Sequence, residues 1–252
     1  MPVLIPGIRI GNGSTMRIDI LTLFPAMFEN ILGESMLKIA RNKKLIEINV
    51  HNLRDWTSDA HRTADDKPFG GGPGMVMKVE PVYRALKEMR LNPAPLASSG
   101  PRTSRRNKSA KIILLTPQGR RFDQKTAKRL AGEKRLVLIC GHYEGFDERI
   151  REFADEEISV GDYVLTCGEI PALVITDAVA RLIPGVLGHK DSAMSESFED
   201  NLLEYPQYTR PADFNGMKVP QVLLSGNHKN ISEWRKREAF KRTKVRRPDL
   251  LK

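Results

Sequence analysis

Cysteine is scarce in this sequence, since Cys140 and Cys167 are the only two among 252 residues. Two thiols cannot build a disulfide scaffold, and so few are typical of a reducing compartment, so we expect a cytoplasmic protein. Long apolar runs are also missing, because no stretch approaches the roughly 18 residues of a membrane-spanning helix. These two absences exclude a disulfide scaffold and a membrane-spanning helix.

The familiar nucleotide and metal motifs are absent as well. The glycine-rich stretch "PFGGGPGM" (68–75) lacks the lysine and hydroxyl residue of a P-loop, and no G-x-G-x-x-G stands between a strand and a helix. The five histidines have neither H-E-x-x-H spacing nor a C-x-x-C companion. We therefore expect no metal site, and the glycine-rich stretch alone does not distinguish a ligand cradle from a hinge.

Negative charge is in deficit, with 31 Asp and Glu against 41 Lys and Arg and a formal net charge of +10. Such an excess favours a polyanionic partner, with nucleic acid first and an anionic membrane surface second. The segment 231–247 alone carries eight Lys or Arg against two Glu. It could supply phosphate contacts that do not depend on base sequence, or it could be an ordinary solvated helix face.

Strand patterns alternate with helix patterns over residues 16–187, which predicts an α/β fold with a mainly parallel sheet. We predict strands at 16–24, 46–53, 111–117, 135–141 and 156–166. We predict helices at 25–32, 80–89, 123–133 and 170–185. The last of these helices is apolar almost all round, which fits a surface buried in a dimer or a core helix within one subunit.

Four other segments depart from this alternation. Residues 1–15 contain proline and glycine and predict a loose N-terminal extension. Residues 92–110 carry three prolines, four serines and no acid, which predicts a mobile insertion. Residues 188–200 are polar and form a predicted linker, and residues 201–252 lack strong strands, so we predict a small C-terminal helical domain.

Three predicted strands end in turns that contain glycine: "LLTPQG" (114–119), "LICGHYEG" (138–145) and "VGDYVLTCGE" (160–169). In open α/β sheets, ligands bind just beyond the carboxyl ends of the strands. Three such ends together would form one pocket of backbone amides and carbonyls, which suits a nucleoside-like ligand. Three ordinary strand-to-helix connections are the alternative.

Five blocks of sequence occur in a specific order: "HRTADDKPFGGGPGMVMK", "LTPQGRRFDQ", "LICGHYEGFDERI", "VGDYVLTCGEIPALVITDAVARLIPGVLG" and "EYPQYTRP" followed by "VPQVLLSGNH". Together they closely resemble the bacterial tRNA (guanine-N1)-methyltransferases, a family of the SPOUT class. The likeness runs from Met16 almost to the C-terminus. Residues 1–15 and 92–110 lie outside it.

This resemblance implies properties that the spacing does not. The fold would be an α/β domain (16–187) with a deep trefoil knot, followed by the linker and a C-terminal tRNA-binding domain (201–252). S-adenosylmethionine would bind in the knot and donate a methyl group to N1 of guanine 37 in tRNA. The working unit would be a homodimer with tRNA as its partner and with no membrane partner.

The resemblance also assigns residues to the site. Those matching family residues around the cofactor are Leu114, Leu115, Pro117, Gly141, Tyr143, Glu144, Val160, Gly161, Asp162, Tyr163, Val164, Leu165 and Gly168. Those matching residues beside the target guanine and its 5′ neighbour are Asp65, Pro73 and Gly74. In this interpretation the glycine-rich stretch approaches RNA closely and is no phosphate cradle.

Two residues would carry the chemistry. Arg181 matches the family arginine that stabilises charge on guanine O6, although a local ion pair with Asp177 would also explain it. Glu196 occupies the position of the general base, where the family usually has aspartate. A solvated linker carboxylate is the alternative for Glu196, with Asp191, Glu199 and Asp200 close by in sequence. Cys167 is a second departure, because glycine is common there.

Two rival interpretations remain at this stage. The chain could be a SPOUT methyltransferase with another RNA target, although the "GGGPGM" and "YTRP" blocks argue against it. It could also be a non-catalytic RNA-binding protein that kept the fold, although the intact cofactor turns argue against that.

Overall fold

The computed structural model describes residues 15–91, 109–187 and 196–252. The chain divides into two compact units, Met1–Gly188 and His189–Lys252. Within the described ranges, no helix combines the length and the apolar character needed to cross a bilayer. The predicted extension and insertion, and most of the predicted linker, lie outside the described residues.

A five-stranded parallel sheet forms the centre of the first unit, as the sequence predicts. The strands of this unit are β1 (Met16–Thr22), β2 (Ile46–Asn52), β3 (Asp65–Asp66), β4 (Val76–Met77), β5 (Lys111–Arg121), β6 (Arg135–Cys140) and β7 (Glu156–Ser159). The sheet has the order β2-β1-β6-β5-β7, and the short strands β3 and β4 pair separately in an antiparallel ladder. Strands β6, β5 and β7 are therefore neighbours.

The helices of this unit are α1 (Glu29–Leu32), α2 (Ser35–Asn42), α3 (Val79–Glu88), α4 (Gln124–Ala131) and α5 (Glu169–Ala180). Short 3-10 helices occupy Pro25–Phe28, Leu53–Trp56 and Glu148–Phe153. The predicted helices α3 and α4 are confirmed to within a few residues, and α5 is confirmed at its start. Helix α2 was not predicted, because its eight residues bury only Leu37 and Ala40 and carry a short amphipathic signal.

Two predicted boundaries were wrong. The extended segment predicted at 156–166 ends at Ser159, because the Ser159 hydroxyl bonds to both the N–H and the carbonyl of Gly161 and turns the chain. The helix predicted at 170–185 ends at Ala180, shortly before Pro184, which cannot continue a helix. The first correction shortens regular structure at the carboxyl ends of the strands, whereas the second lies toward the amino end of β2, where Gly185 approaches Leu45.

Helices cover both faces of the sheet, because successive strand residues point to opposite sides. In β6, Leu136 and Leu138 join an apolar cluster with α4 and α5. Val137 and Ile139 join a second cluster with α3 on the other face. This burial on both faces leaves the two ends of the sheet as the places where loops can form a site.

Asp19 is a buried carboxylate in β1, with 0% of its surface exposed. It accepts hydrogen bonds from Arg17 Nε at 2.9 Å and Arg135 Nε at 2.7 Å, and His51 Nε2 lies 2.8 Å away. Burial by itself raises the pKa of this carboxyl, but the contacts with His51, Arg17 and Arg135 together outweigh it and hold the pKa well below its usual range. The cluster ties β1 to both of its neighbours.

The second unit contains the antiparallel pair β8 (Asp213–Phe214) and β9 (Met217–Lys218) and the helices α6 (Gln221–Leu224) and α7 (His228–Arg246). The predicted basic helix is thus present as α7. Trp234 and Thr243 are buried on it, and Thr243 Oγ1 accepts a hydrogen bond from the Leu203 N–H at 2.8 Å. These anchors fix one side of α7 to the chain that precedes it, while most of its basic residues are exposed.

Candidate functional site

The three turns that contain glycine meet at one end of the sheet and surround a cavity of about 280 Å³. Strands β6, β5 and β7 are adjacent, so their carboxyl ends lie side by side. The cavity is lined by residues 115–118, 141–146 and 158–168 together with Glu148, Arg151 and Pro171, apart from Asp162. The prediction that these turns converge is therefore supported by the geometry of the sheet.

A bulge in β5 shapes the first wall of the cavity, which consists of residues 115–118. The pairing of β5 with β7 shifts register between Leu115 and Arg120, which both face Ile158. Gly119 lies at this shift, where a Cβ atom would stand 2.5 Å from the backbone carbon of Glu157. Only glycine allows this approach, and the residues between the two registers are pushed toward the cavity.

The second wall (residues 141–146) and the third wall (the lining residues of 158–168) are joined through the backbone of two glycines. The Gly168 N–H donates to the Gly141 carbonyl at 2.7 Å, and His142 pairs with Cys167 in an antiparallel bridge. A Cβ on Gly168 would lie 2.6 Å from the Gly141 nitrogen. The close contact brings the start of α5 directly against the end of β6.

The glycine-rich stretch of the sequence lies beside the second wall. The Glu144 N–H donates to the Met75 carbonyl at 3.1 Å, and the Met77 N–H donates to the Gly145 carbonyl at 3.0 Å. Gly74 has a φ of +75°, and a Cβ on it would lie 2.4 Å from the Glu144 side chain. Residues 74–77 are thus held against the wall of the cavity, while the tip of the loop is exposed.

The structure brings most of the predicted cofactor residues together. The predicted residues that line the cavity are Leu115, Pro117, Gly141, Tyr143, Glu144, Val160, Gly161, Tyr163, Val164, Leu165 and Gly168. Leu114 does not line it, because its side chain points into the core on the α3 side of the sheet. Asp162 does not line it either, since its side chain is 88% exposed and lies 3.8 Å from Arg121.

The remaining predicted residues lie outside the cavity lining. Asp65 is half-buried in β3, and Pro73 and Gly74 are exposed on the glycine-rich loop. Arg181 is half-buried at the C-cap of α5, where its N–H donates to the Asp177 carbonyl at 3.1 Å. Glu196 is half-buried in the second unit, in a turn closed by the Glu199 N–H at 3.2 Å.

Sequence reasoning missed several polar residues of the cavity. Gln118 and Ser159 line it, and so does Arg151, whose guanidinium contacts Gln118. Arg151 follows the "GHYEGFDERI" block by one residue and has no local signal that separates it from surface arginines. The bulge is a tertiary feature, which only the paired strands reveal, whereas the turn after Ser159 is a local contact between Ser159 and Gly161.

The cavity combines apolar and hydrogen-bonding surface. Leu115, Pro117, Val160 and Leu165 offer a flat apolar ligand a place to pack, and the glycine turns offer backbone donors and acceptors. Burial raises the pKa of the Cys140 thiol, and Glu169 and Cys167 raise it further, so this cysteine is an unreactive structural residue. Among the described residues, no group of His, Cys, Asp and Glu could hold a metal ion.

A parallel sheet covered on both faces, with a glycine-lined cavity beyond adjacent strand ends, defines an α/β protein whose cavity suits a small nucleoside-sized ligand. Comparison with known proteins narrows this class. Residues 16–252 match the family model described as tRNA (Guanine-1)-methyltransferase TrmD. The chain belongs to this family, as the sequence resemblance predicted.

Curated relatives agree with this membership over nearly the whole chain. A tRNA (guanine-N(1)-)-methyltransferase of Citrifermentans bemidjiense is 55% identical over 237 residues, which cover 94% of this chain and 90% of the relative. The enzyme of the same name from Geobacillus kaustophilus is 54% identical, with 94% and 91% covered. That of Dictyoglomus turgidum is 53% identical, with 94% and 90% covered.

Proposed function

We propose that this protein transfers a methyl group from S-adenosylmethionine to N1 of guanine 37 in tRNA, next to the anticodon. Membership of the family supports the reaction, and the single structural observation that carries it is the cavity formed by three converging turns. We also propose a cytoplasmic location, which a tRNA substrate supports. The exposed basic residues of α7 support a polyanionic partner.

The cavity suits the proposed methyl donor. Leu115, Val160 and Leu165 would pack against an adenine ring, and backbone groups of the turns other than the paired Gly168 N–H would hydrogen-bond its edge. Gly141 leaves little room, since a Cβ there would lie 3.3 Å from the Leu115 carbonyl oxygen. When bound, S-adenosylmethionine supplies a sulfonium methyl group for a single displacement. We further propose that the chain is knotted around this site, as the family resemblance implies.

The chain must supply a proton acceptor, because N1 of guanine carries a proton at neutral pH and is a poor nucleophile until it loses it. We assign this role to Glu196, on the basis of its position before Ser197 and Phe198. Arg181 would stabilise the negative charge that develops on O6. Both residues lie outside the cavity lining. The cavity would therefore hold the methyl donor, and groups outside it would hold the guanine.

The glycine-rich loop would hold the RNA. The target guanine and its 5′ neighbour would contact Asp65, Pro73 and Gly74. The backbone hydrogen bonds of Met75 and Met77 would keep this loop beside the donor. Phe69 at the loop tip is fully exposed, which leaves its ring available to stack on a base.

A homodimer is part of the proposal. Helix α5 buries one side in the core but leaves Ile170 and Val174 more than 40% exposed, and Met27 and Ile31 are exposed on the same unit. Apolar side chains of this kind are typical of a surface covered by a partner. Light scattering should give twice the chain mass of 28.4 kDa, and a monomer at micromolar concentration would contradict the dimer.

Methyl transfer to two tRNA transcripts tests the reaction directly. The transcripts differ only at position 37, with guanine in one and adenine in the other. The proposal predicts N1-methylguanosine in the first product, identified by mass spectrometry, and no methylation of the second. Methylation at another nucleoside would replace the proposed target, and no methylation of either would refute the enzyme activity.

Amide variants test the role of Glu196. Glu196→Gln keeps the size but removes the base, so single-turnover methyl transfer should fall by roughly 10²–10⁴-fold with little change in cofactor affinity. Glu196→Asp should retain most activity, and Glu199→Gln and Asp200→Asn are matched controls that should retain it too. If Glu196→Gln works within about threefold of the parent, far below the usual effect of a general base, another group accepts the proton.

A further inference from the structure

Arg151 lines the cavity and contacts two of its walls, as well as strand β7, which leads into the third. It lies in the 3-10 helix Glu148–Phe153, and its side chain is only 18% exposed. Its Nη2 donates to Gln118 Oε1 at 2.8 Å, and its Nη1 forms an ion pair with Glu157. Its Nε donates to Glu148 at 2.9 Å, and its Cζ lies 5.0 Å from the centre of the Phe146 ring.

The partners of Arg151 belong to different segments of the chain. Gln118 lies on the bulge of β5, Phe146 lies in the turn after β6, and Glu157 lies in β7 just before the third turn. Phe146 also packs under Gly141, since a Cβ there would lie 3.4 Å from its ring. One guanidinium thus connects the bulge of β5, 33 residues earlier in the chain, with the nearby turn after β6 and with strand β7.

Arginine suits this position for a physical reason. The guanidinium is planar and offers donors in fixed directions, so it can hold several acceptors and stack on an aromatic ring at once. Lysine would offer a single flexible ammonium group. The contacts with Glu148 and Gln118 are exposed and contribute less, so the contacts with Phe146 and Glu157 carry most of the effect.

We propose that Arg151 is a positioning residue that fixes the spacing of the three cavity walls and thereby sets the affinity for the methyl donor. This inference rests on the proposed function of the cavity. A merely structural ion pair would affect stability alone. Loss of a positioning residue would lower cofactor affinity in protein that remains fully folded, and it would loosen the walls before any ligand binds.

Arg129 provides a matched control. Its Nη2 donates to both carboxylate oxygens of Glu156, at 2.6 and 2.8 Å, so it pairs with the neighbour of Glu157 in β7. Neither Arg129 nor Glu156 lines the cavity. The substitutions Arg151→Met and Arg129→Met therefore remove the same kind of ion pair from the same strand, but only the first touches the cavity walls.

Calorimetry with S-adenosylmethionine, at a temperature where all variants are folded, measures the effect. Arg151→Met should weaken binding by about tenfold or more, the scale of one lost hydrogen bond to a charged group. Arg151→Lys should recover only part of this loss, and Gln118→Leu should lose less than Arg151→Met. In steady-state assays, KM for the donor should rise in Arg151→Met while kcat changes little.

Hydrogen exchange of the ligand-free protein separates positioning from direct contact. Arg151→Met should speed exchange of amides in residues 116–119 and 141–147, and Arg129→Met should not. Faster exchange with weaker binding supports the proposal. If the parent protein binds the donor, unchanged exchange or unchanged donor affinity in Arg151→Met overturns the proposal. A parent that binds no donor refutes the proposed function instead, and the exchange data still decide whether Arg151 holds the walls.

Discussion

Glycines in two neighbouring regions of this protein serve different physical purposes. In the cavity walls, Gly119, Gly141 and Gly168 stand where a side chain would press against backbone from another segment. In the loop tip, Gly70 and Gly71 have positive φ angles of +85° and +79°, and a Cβ on either would meet nothing within 4 Å. The first set provides space for close packing, and the second provides a backbone conformation.

This difference changes what each region tolerates. A substitution in the walls must move backbone, and strain there spreads into the core. A substitution at the loop tip strains one exposed residue and leaves the core unchanged. A glycine-rich sequence therefore does not identify a ligand site until the surroundings of each glycine are known.

The largest effect should come from Gly168→Ala, which tests whether glycines in the cavity walls are needed for close packing. The new Cβ would lie 2.6 Å from the Gly141 nitrogen, and overpacking of this kind costs about 1–3 kcal/mol. Calorimetry should show a melting temperature lower by roughly 2–4 °C for each kcal/mol, together with severe loss of cofactor binding.

Gly132→Ala is the matched control for this substitution. Gly132 has a φ of −82° and Gly168 a φ of −81°, so the backbone accepts alanine at both positions. At Gly132 the nearest atom to a Cβ lies 3.3 Å away, and we expect little change. Equal behaviour of the two variants would show that the contact at Gly168 relaxes easily.

A smaller effect, confined to RNA, should follow from Phe69→Ala. Its ring is fully exposed, so its removal should leave stability and cofactor affinity unchanged. Stacking of a base on an aromatic ring is worth about 1–3 kcal/mol, so kcat/KM for tRNA should fall by about tenfold or more. Phe69→Tyr should restore it, whereas equal activity of Phe69→Ala and the parent would remove Phe69 from the RNA site.

The smallest effect should come from Gly71→Ala. Alanine at positive φ costs about 1–2 kcal/mol, but an exposed loop can shift to relieve part of it. We expect a few-fold lower kcat/KM for tRNA, an unchanged melting temperature and unchanged donor affinity. A clear drop in melting temperature would break the comparison, because it would mean that the loop tip supports the core.

Much of the sheet could be predicted from the sequence. Strands β1, β2, β5 and β6 carry β-branched or continuous apolar runs, and the burial of both faces follows from them. The order of the strands could not be predicted, because it depends on pairing between distant segments. The strand predicted at 156–166 failed beyond Ser159 for a different reason, since a local side-chain contact with Gly161 ends it.

The cavity was predicted in outline and missed in detail. The position of the three turns at strand ends suggested that they meet, and the family resemblance supplied the residues, but neither could tell that Leu114 faces the core while Leu115 faces the cavity. Successive side chains of β5 point to opposite faces of the sheet, so the register of this strand decides which of the two leucines lines the cavity. Arg151 and Gln118 were missed because a polar residue in a turn looks the same in sequence whether it holds a wall or faces solvent.

The buried carboxylate of Asp19 has a consequence for behaviour in acid. Its pKa is lowered in the folded protein, so the unfolded chain takes up the proton more readily. Its contribution to stability is complete above the ordinary aspartate pKa of about 3.9 and is lost as the pH falls from there through the folded value. Below that range, Arg17 and Arg135 lose their shared counterion, so β1 should become the weak point of the sheet when the protein is acidified.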